Sequence, residues 1–558
     1  MLKIVECVPN FSEGRNRAVI DAIAKEISDT EGVKLLDVDP GADTNRTVVT
    51  FIGSPEGVKE AAFKAIKRAA ELIDMRQHKG AHPRMGATDV CPFVPVTGVT
   101  MADCVAIARE VGARVAAELG IPVYLYEEAA TRPERKSLAN IRSGEYEGLP
   151  DKLRDPEWQP DFGEPKFNPK SGATVIGARE FLIAYNVNLN TKDRKLAHDI
   201  ALSIRETGRN KKDESGNVIR DEQGNPIKEP GLLPATRAVG WYIDEYGQAQ
   251  VSINLLNYKI TPPHVAFDTV CQEAEKRGLR VTGSELVGLI PLQAMLDAGR
   301  HYLVKQGKCP GVPEEQLIET AIISMGLRDL TEFDPAKKII EYQVTERKGP
   351  LVKMDLRDFA NELSTDSPAP GGGSVAGLAG ALGAALTSMV ANLTYGRREY
   401  QDNWAEMERV AIEAQRLKDE LLRLIDQDTE AFNAVMAANR LPKKTPEQIA
   451  ERERAIEAAT KRACLVPLEV MTNASLVLKL AKVVAECGNP NTISDAGVAS
   501  LMARAAVEGA GLNVKINLPG IKHAEFVAEQ SAKVQQLNAE ANELHRQIME
   551  LVYQKIGQ

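Results

Sequence analysis

Paired cysteines are missing from this sequence. It contains 7 cysteines among 558 residues, and no two of them form a Cys-x-x-Cys pair. A small secreted domain held by disulfides would carry an even, closely spaced set. The odd, scattered set predicts reduced thiols, and we therefore expect a cytoplasmic protein. The N-terminal stretch MLKIVECVPNFSEG lacks a basic segment followed by an apolar one, so we expect no signal peptide.

An excess of basic residues is missing as well. Asp and Glu outnumber Lys and Arg by 78 to 69, which gives a formal net charge of −9. A nucleic acid held on a broad basic face needs clustered Lys and Arg to neutralise its phosphates. The composition therefore argues against a nucleic-acid partner. It does not exclude small anionic substrates, because these need only a few local cations.

Residues 371–394 lack charge altogether. Their sequence, GGGSVAGLAGALGAALTSMVANLT, is long enough to span a bilayer. It consists mostly of Gly, Ala and Ser, however, with few Leu, Ile or Phe residues. This composition favours a buried helix whose small side chains let neighbouring helices pack closely, and we expect no membrane partner.

The chain is too long for one hydrophobic core and changes character along its length. Up to about residue 330, short β-rich runs alternate with amphipathic helices in two successive βαββα patterns. From Asp355 onward β-branched runs nearly vanish and long helical periods follow. We therefore predict an α+β N-terminal part made of two similar ferredoxin-like α/β subdomains, followed by an all-α helical bundle. The predicted boundaries are 1–180 and 181–332 for the subdomains, 333–352 for a linker and 353–558 for the bundle.

Two histidines lie close together in the stretch HKGAHPRMGATDV, residues 78–90. A metalloprotease-type H-E-x-x-H motif needs a helix that places both rings on one face, and a Glu that acts as the base. Here no Glu follows His78, Gly80 separates the histidines, and Pro83 disfavours the α conformation at His82. We therefore predict no metal site.

The neighbours of His82 indicate a different chemistry. Lys79 and Arg84 would hold a carboxylate-bearing substrate beside a base of near-neutral pKa. Asp37 and Asp39 alternate with apolar residues in LLDVDPG, at the end of a strand that we expect nearby. A base, fixed cations and a carboxylate suit acyl-type transfer between nitrogens. Spacing alone does not name the substrate, and a loop histidine without a function is the alternative.

Several long segments together resemble glutamate formimidoyltransferase. They are CVPNFSEG (7–14), LLDVDPGADTNRTVVTFIG (35–53), HKGAHPRMGATDVCPFVPV (78–96), YLYEEAA (124–130), IRSGEYEGLPDKL (141–153), PDFG (160–163) and GATVIGAREFLIAYNVNL (172–189). The helical third resembles formimidoyltetrahydrofolate cyclodeaminase, so the resemblance covers essentially the whole chain. The sequence is thus similar to the bifunctional formimidoyltransferase-cyclodeaminase family of histidine degradation.

This resemblance implies two reactions on tetrahydrofolate, a co-substrate expected in polyglutamylated form. The formimino group of N-formimino-L-glutamate moves to N5, and ring closure then gives 5,10-methenyltetrahydrofolate and ammonia. By similarity His82 is the catalytic residue of the transfer, acting as a general base. We expect Asp39 to hold the amidine in its cationic form, and His78 to support the loop. The resemblance also implies a cytoplasmic homo-oligomer that binds only small molecules and no metal.

The folate-binding segment of the family falls on residues 163–172. Its members are Gly163, Glu164, Pro165, Lys166, Phe167, Asn168, Pro169, Lys170, Ser171 and Gly172. We expect Phe167 to stack on the ligand, and Lys166 and Lys170 to bind the glutamyl carboxylates. Taken without the resemblance, a Pro/Gly-shaped loop of this kind is a plain connector.

The sequence departs from the family at three places. Many relatives have Glu where this chain has Ala81, and animal members have Trp where it has Ser171. The charged segment 209–231, rich in Gly, Asn and Pro, looks longer than usual and predicts an exposed hairpin or loop insertion.

One aspartate lies within an apolar stripe of the helical third. Leu421, Leu424, Asp428, Phe432 and Val435 recur at spacings of three and four residues and therefore share a helix face. Burial should raise the pKa of this aspartate, so that it can donate a proton to a leaving amine. The cyclodeaminase aspartate of the family falls on the same residue. Without the resemblance, a buried Asp satisfied by a helix cap or an Arg is an equal alternative.

Other polar residues of the helical third are weaker candidates. Asp426 shares its face with Asp419, Arg423 and Glu430, which predicts a solvated side chain. The run DSPAPGGGSVAG precedes the Ala-rich helix, whose N-terminal amides would bind a folate carboxylate or carbonyl, although close helix packing explains it equally well. The candidates for the cyclodeaminase site are therefore Gly371, Gly372, Gly373, Ser374 and Asp495, with Asn513 and Asn517 as further polar residues.

One alternative to the two-site enzyme stays open. The chain could be a monofunctional glutamate formimidoyl- or formyltransferase, with the helical domain serving only oligomerisation. The loss of Asp428 or of the glycine run would favour this alternative, and both are present.

Overall fold

The computed structural model describes residues 3–42, 44–80, 83–244, 246–343 and 349–557. By contacts the chain divides into two compact units. The first, which we call the α/β unit, comprises Met1–Ala294 with Met325–Thr345, and the second, the helical unit, comprises Met295–Ser324 with Glu346–Gln558. The predicted change from an α/β part to an all-helical part is thereby confirmed at this level.

The α/β unit begins with a mixed sheet and the helices that cover it. Its strands are β1 (Ile4–Cys7), β2 (Asn10–Phe11), β3 (Val33–Gly41), β4 (Arg46–Gly53), β5 (Thr88–Thr97), β6 (Val123–Glu127) and β7 (Thr174–Ala178). The helices are α1 (Arg17–Ser28), α2 (Pro55–Leu72), α3 (Met101–Leu119), α4 (Leu138–Arg142) and α5 (Glu145–Lys152). β1 and β2 lie between β4 and β5 and pair antiparallel with both, β3 pairs with β4, and β7 runs parallel to β5 and β6.

A second sheet follows in the same unit. Its elements are β8 (Ile183–Leu189), α6 (Arg194–Ile204), β11 (Thr236–Ile243), β12 (Gln248–Leu255), α7 (Pro263–Glu275) and β13 (Val281–Val287), with a short ribbon of β9 (Arg209–Asn210) and β10 (Lys228–Glu229) between them. The sheet order is β11-β12-β8-β13, and every pair is antiparallel. The ribbon carries the predicted insertion, whose exposed hairpin is confirmed.

The helical unit is built around one small-residue helix. The remaining helices of the chain are α8 (Leu292–Lys305), α9 (Glu314–Ser324), α10 (Pro335–Lys338), α11 (Leu356–Leu363), α12 (Gly372–Thr394), α13 (Trp404–Asn439), α14 (Pro446–Cys487), α15 (Ile493–Asn517) and α16 (Ala524–Ile556). α12 packs against α13, α14 and α15. A Cβ at Gly380 would lie 3.1 Å from Leu421, and one at Gly383 would lie 3.0 Å from the Ala499 carbonyl oxygen. The predicted close packing of this helix is thus confirmed.

α12 and α14 are long and apolar enough to cross a membrane, judged by length and composition alone. Within the structure, 61% of the most apolar part of α12 and 67% of that of α14 are buried. Helices in the core of a protein show the same property.

Residues 295–324 group with the helical unit, although the predicted boundary assigns them to the second α/β subdomain. The contacts of Gly311 explain the grouping. Its carbonyl oxygen accepts hydrogen bonds from Ser388 and Asn392 of α12, at 3.2 and 2.8 Å. A Cβ at Gly311 would lie 2.3 Å from the Ala411 side chain on α13. This segment therefore packs directly on the central helices.

A buried carboxylic acid lies in the first sheet. Val5 and Cys7 of β1 belong to the core beneath the helices, so Glu6 between them points to the opposite face. Glu6 is 6% exposed. Burial raises its pKa to about 7, against the opposing charge of Arg179. Between its ordinary pKa of 4.5 and pH about 7 this side chain therefore keeps a proton that an exposed Glu has lost.

The raised pKa of Glu6 predicts a pH-dependent free energy of unfolding. Between pH 4.5, its ordinary pKa, and about 7 the folded chain holds a proton that the unfolded chain has released. Glu6 makes its full contribution to the free energy of unfolding below that window. This contribution, about 3 kcal/mol at most, is lost as the pH rises through the window. Glu6→Gln should remove this dependence. Urea unfolding at pH about 5 and about 8 tests it, and identical pH slopes for wild type and variant would contradict it.

Candidate active sites

The predicted base of the transfer reaction, His82, lies outside the described residues together with Ala81. The residues that flank it in the chain are described. Lys79 and Gly80 precede it, and Pro83 and Arg84 follow it. Their contacts show how the loop between α2 and β5 is held.

His78 is fixed by hydrogen bonds at both ring nitrogens. Arg84 Nε donates to His78 Nδ1 at 3.2 Å, so this nitrogen accepts and carries no proton. His78 Nε2 therefore carries the proton and donates it to the Asn45 carbonyl oxygen at 2.8 Å. The ring thus joins two loops, which suits the supporting role expected of His78.

Arg84 is already paired with two carboxylates. Its guanidinium donates to Glu145 Oε2 at 2.8 Å and to both oxygens of Glu147 at 2.8 and 2.7 Å. These bonds lower the pKa of Glu147 and raise that of Arg84. The predicted role of Arg84, holding a substrate carboxylate, is corrected accordingly: Arg84 ties the loop to α5. Its partners are 61 and 63 residues away in the chain, so the local pattern carried no sign of them.

A cleft of about 450 Å³ opens beside this ion-pair network. It is lined by Lys79, Gly80, Arg84, Gly144, Glu145 and Glu147. Lys79 is exposed. Asp39 is exposed on β3, opposite Val48, and is not among the residues that line the cleft.

Three residues that sequence reasoning missed hold the loop in place. Asn45, in the left-handed region at φ +48°, accepts from the Gly14 amide at 2.9 Å and donates to the Lys79 carbonyl at 3.0 Å. Asp89, 1% exposed, accepts from the Met85 amide at 3.0 Å and pairs with Arg142. All three lie inside the segments that carry the family resemblance, which was the available signal.

The predicted folate-binding segment borders a groove of about 670 Å³. The groove lies between this segment and α3, whose small side chains at Ala113, Ala116 and Ala117 leave the space. Phe167 lines it, with its ring 5.4 Å from that of Tyr146 and tilted by 48°. The structure therefore places the aromatic side chain expected to stack on the ligand at the edge of an open groove.

The two lysines of this segment have different surroundings. Lys166 is exposed and lines the groove. Lys170 Nζ donates instead to the Glu71 carbonyl oxygen at the end of α2, at 2.8 Å. Both lysines were expected to bind glutamyl carboxylates, and of the two Lys166 has its side chain at the groove. Lys170 is held by a partner 99 residues away in the chain.

Residues 163–172 are hydrogen-bonded to both ends of the loop between α2 and β5. The Met75 amide donates to the Lys170 carbonyl, and the Ala87 amide to the Ser171 carbonyl, each at 2.9 Å. Gly172 has φ +68°, and a Cβ there would lie 2.2 Å from the Met85 carbonyl oxygen, so only glycine fits. The structure therefore brings the two predicted parts of the transfer site together.

Asp428 lies against the first turn of α12. A Cβ at Gly373 would lie 2.2 Å from its Oδ1, so glycine is required for this approach. Ser374, fully buried, donates to the Ile425 carbonyl at 2.9 Å and lies 3.4 Å from Asp428 Oδ2. Burial raises the pKa of Asp428, opposed by hydrogen bonds from Ser374. The predicted direction of this pKa shift is confirmed.

The glycine run has two further contacts near this aspartate. Gly371 caps α12 at its N-terminus. A Cβ at Gly372 would lie 3.4 Å from Asn513 Nδ2, which places Asn513 at the same end of the helix. The structure thus groups the glycine run, Ser374, Asp428 and Asn513.

Two other predicted residues of the helical unit lie elsewhere. Asp495 precedes Asn513 by 18 residues on α15, roughly 27 Å along the axis, and is not part of this group. Asn517 donates to the Ala463 carbonyl on α14 at 3.1 Å. A polar residue beside glycines occurs near both ends of this long helix. The sequence pattern alone therefore does not indicate which end contributes to the site.

The prediction of a solvated Asp426 was wrong. This side chain is 7% exposed, and its Oδ1 accepts from the Leu351 amide at 2.8 Å. A Cβ at Gly349 would lie 2.1 Å from its carboxyl carbon. Residues 349–352 cover this part of α13, and helical periodicity gives no information about a covering segment 75 residues away.

Among the described parts of the chain, no group of three or more His, Cys, Asp or Glu side chains could hold a metal ion.

Comparisons with known families match both units. The family described as "Formiminotransferase domain, N-terminal subdomain" matches residues 4–179, and "Formiminotransferase domain" matches 184–345. The family "Formiminotransferase-cyclodeaminase" matches 355–536. The second match includes residues 295–324, which group by contacts with the helical unit.

Individual relatives extend over the same ranges. The formimidoyltransferase-cyclodeaminase of Rattus norvegicus is 46% identical over 545 residues, 97% of each chain. The glutamate formimidoyltransferase of Streptococcus pyogenes serotype M1 is 44% identical, over 54% of this chain and 94% of its own. The methenyltetrahydrofolate cyclohydrolase of Methylorubrum extorquens is 42% identical, over 36% of this chain and 97% of its own. The similarity to enzymes therefore covers both candidate sites.

Proposed function

Because the chain belongs to the formimidoyltransferase-cyclodeaminase family, we propose that it carries out two successive reactions on tetrahydrofolate. The first transfers the formimino group from N-formimino-L-glutamate to N5 and releases L-glutamate. The second closes the ring to 5,10-methenyltetrahydrofolate and releases ammonia. The observation that carries this proposal is the similarity over 97% of the chain, which includes a transferase and a cyclodeaminase part.

In the transfer, N5 attacks the carbon of the donor's amidine group. His82 takes the N5 proton as general base and then delivers it to the departing glutamate nitrogen. Lys79 supplies a cation for a substrate carboxylate. The groove beside residues 163–172 supports folate binding there, and exposed Lys166 suits a polyglutamyl tail.

In the ring closure, N10 attacks the formimino carbon and the former imino nitrogen leaves as ammonia. The leaving nitrogen needs a proton, and Asp428 is placed to supply it in its protonated form. The raised pKa of Asp428 supports this role because a carboxylic acid keeps its proton closer to neutral pH. The N-terminal amides of α12 lie beside it and would orient a folate carbonyl or carboxylate.

The first test is an assay of the purified chain with tetrahydrofolate and formiminoglutamate. Methenyltetrahydrofolate absorbance and released ammonia would be followed together, and both should rise. Glutamate release without ammonia would favour the monofunctional alternative, with a helical unit that serves only oligomerisation. No glutamate release would contradict the proposal.

We also propose that the chain is a homo-oligomer whose helical units meet through α12 and α15. Val375, Leu382, Met389 and Leu393 recur along α12 at spacings of seven and four residues and are 37–48% exposed. Leu512 and Ile516 on α15 are 63% and 78% exposed. A second copy would cover this apolar face. Sedimentation equilibrium should give at least a dimer that Leu382→Glu weakens, and a monomeric wild type would contradict the proposal.

We also propose that the subdomains are ferredoxin-like and that the protein is cytoplasmic. The order βαββαβ in the second sheet supports the ferredoxin-like description of the subdomains. None of the 7 cysteines forms a disulfide, which supports a cytoplasmic location, and cell fractionation tests it.

A further inference from the structure

The cleft that Lys79, Arg84 and Glu145 line, beside the loop between α2 and β5, has an unusual distribution of charge. Glu147 binds Arg84 through both carboxylate oxygens, whereas Glu145 uses only Oε2. Among the residues that the structure describes, none donates a hydrogen bond to Glu145 Oε1. The side chain of Glu145 is 41% exposed at the cleft, so this oxygen is able to bind a ligand.

The backbone of Glu145 has a conformation that residues other than glycine rarely adopt. Its φ is +53°, and Gly144 before it has φ +86°. Left-handed backbone at a residue other than Gly, Asn or Asp is strained and persists where the surroundings impose it. Here the amide of Tyr146 donates to the Arg84 carbonyl at 2.8 Å, and that of Gly148 to the Gly144 carbonyl at 2.7 Å. The carboxylate is thus presented from a rigid turn.

A cation lies in the same cleft. The backbone of Lys79 is held by Asn45, whose Nδ2 donates to the Lys79 carbonyl at 3.0 Å. Its ammonium group forms no ion pair within the described part of the chain. The cleft therefore offers one available carboxylate oxygen and one available ammonium group, with the charge of Arg84 already neutralised.

We propose that this cleft binds the formimino donor, with Glu145 receiving the amidinium group and Lys79 a carboxylate of the glutamate moiety. The inference rests on the proposed transfer reaction. N-formiminoglutamate carries a cationic amidine and two carboxylates, so it needs ligands of both signs. A carboxylate accepts charge-assisted hydrogen bonds from an amidinium N–H, which also keeps the carbon electrophilic.

This arrangement makes Glu145 a specificity-determining residue. A formyl donor has a carbonyl oxygen where the formimino donor has a cationic nitrogen, and it offers no proton at that position. A carboxylate therefore discriminates between the two donors, whereas Lys79 does not. The role of holding the cationic amidine, expected of Asp39 from the sequence, passes to Glu145.

The test compares two ligands on the full chain. Glu145→Gln should lower kcat/KM for N-formimino-L-glutamate by about 10- to 100-fold, because a charged hydrogen bond is lost. The inhibition constant of N-formyl-L-glutamate, the neutral isostere, should change by less than about 2-fold. Asp151→Asn is the matched control, since it removes an exposed carboxylate from the same helix, and it should change neither value. Asp39→Asn tests the alternative that Asp39, and not Glu145, holds the amidinium group.

The outcomes separate this inference from the proposed function. An unchanged inhibition constant of N-formyl-L-glutamate shows that the transfer site of Glu145→Gln is folded, and ring closure from supplied 5-formiminotetrahydrofolate should be unchanged as well. An equal loss for both ligands, or no loss, would overturn the role of Glu145. A discrimination lost in Asp39→Asn instead of Glu145→Gln would overturn it too. A wild type that transfers no formimino group would contradict the proposed function itself.

Discussion

Replacing Asp428 by Asn is expected to slow ring closure by about 10²- to 10⁴-fold, the usual contribution of a general acid–base group. Asparagine keeps the shape but has no proton to give to the leaving ammonia. Transfer in the α/β unit should continue, so 5-formiminotetrahydrofolate should accumulate while ammonia release nearly stops. Because the pKa of Asp428 is raised, wild-type ring closure should fall as the pH rises through that pKa, and the variant should lack this limb.

Two neighbouring glycines provide matched variants for the same site. Gly373→Ala would place a Cβ 2.2 Å from Asp428 Oδ1, whereas the nearest atom to a Cβ at Gly372 is 3.4 Å away. The first substitution should impair ring closure, and the second should be tolerated as ordinary packing. Asp495→Asn, near the other end of α15, should have no effect. Unchanged ring closure in Asp428→Asn would show that this aspartate is structural.

Replacing His82 by Ala is expected to stop formimino transfer to a similar extent, about 10²- to 10⁴-fold. Without a base, the N5 proton has no acceptor as the nitrogen attacks the amidine carbon. Ring closure uses a different unit, so supplying 5-formiminotetrahydrofolate should restore methenyltetrahydrofolate and ammonia. Glutamate release measures the transfer reaction. Methenyltetrahydrofolate and ammonia, measured with and without the supplied intermediate, report the ring closure.

His78→Ala is the comparison for that variant. His78 bonds to Asn45 and Arg84 through its two ring nitrogens, so its loss should loosen the loop and reduce transfer only partly. Full transfer activity in His82→Ala would remove His82 from the mechanism. A larger loss in His78→Ala than in His82→Ala would exchange their roles.

The two candidate sites differ in how far the sequence predicted them. For Asp428, periodicity placed the residue on a buried helix face; the structure shows a half-buried side chain there and confirms the direction of its pKa shift. For Asp426, two positions away, the same reasoning predicted a solvated side chain and was wrong. Its partner, the Leu351 amide, comes from a segment outside the helix. Periodicity reports the face of a residue's own helix, not what covers that face.

The transfer site shows the same division. The loop, the supporting histidine and the folate-binding segment 163–172 were expected from local sequence and resemblance. The pairing of Arg84 with Glu145 and Glu147, and of Lys170 with the end of α2, was not. Both residues looked like cations awaiting a ligand because their partners lie 61 to 99 residues away in the chain.

The sequence by itself determined the order of elements, the change to an all-helical part, the absence of a recognisable zinc motif and the residues expected to react. Turn residues, helical periods and motif matches are properties of short stretches, so they are readable without a structure. Only the tertiary structure decided which charges are neutralised and which remain available. A charged side chain is stabilised by whichever groups folding brings within a few ångströms, and for Arg84, Lys170 and Asp426 those groups come from distant parts of the chain.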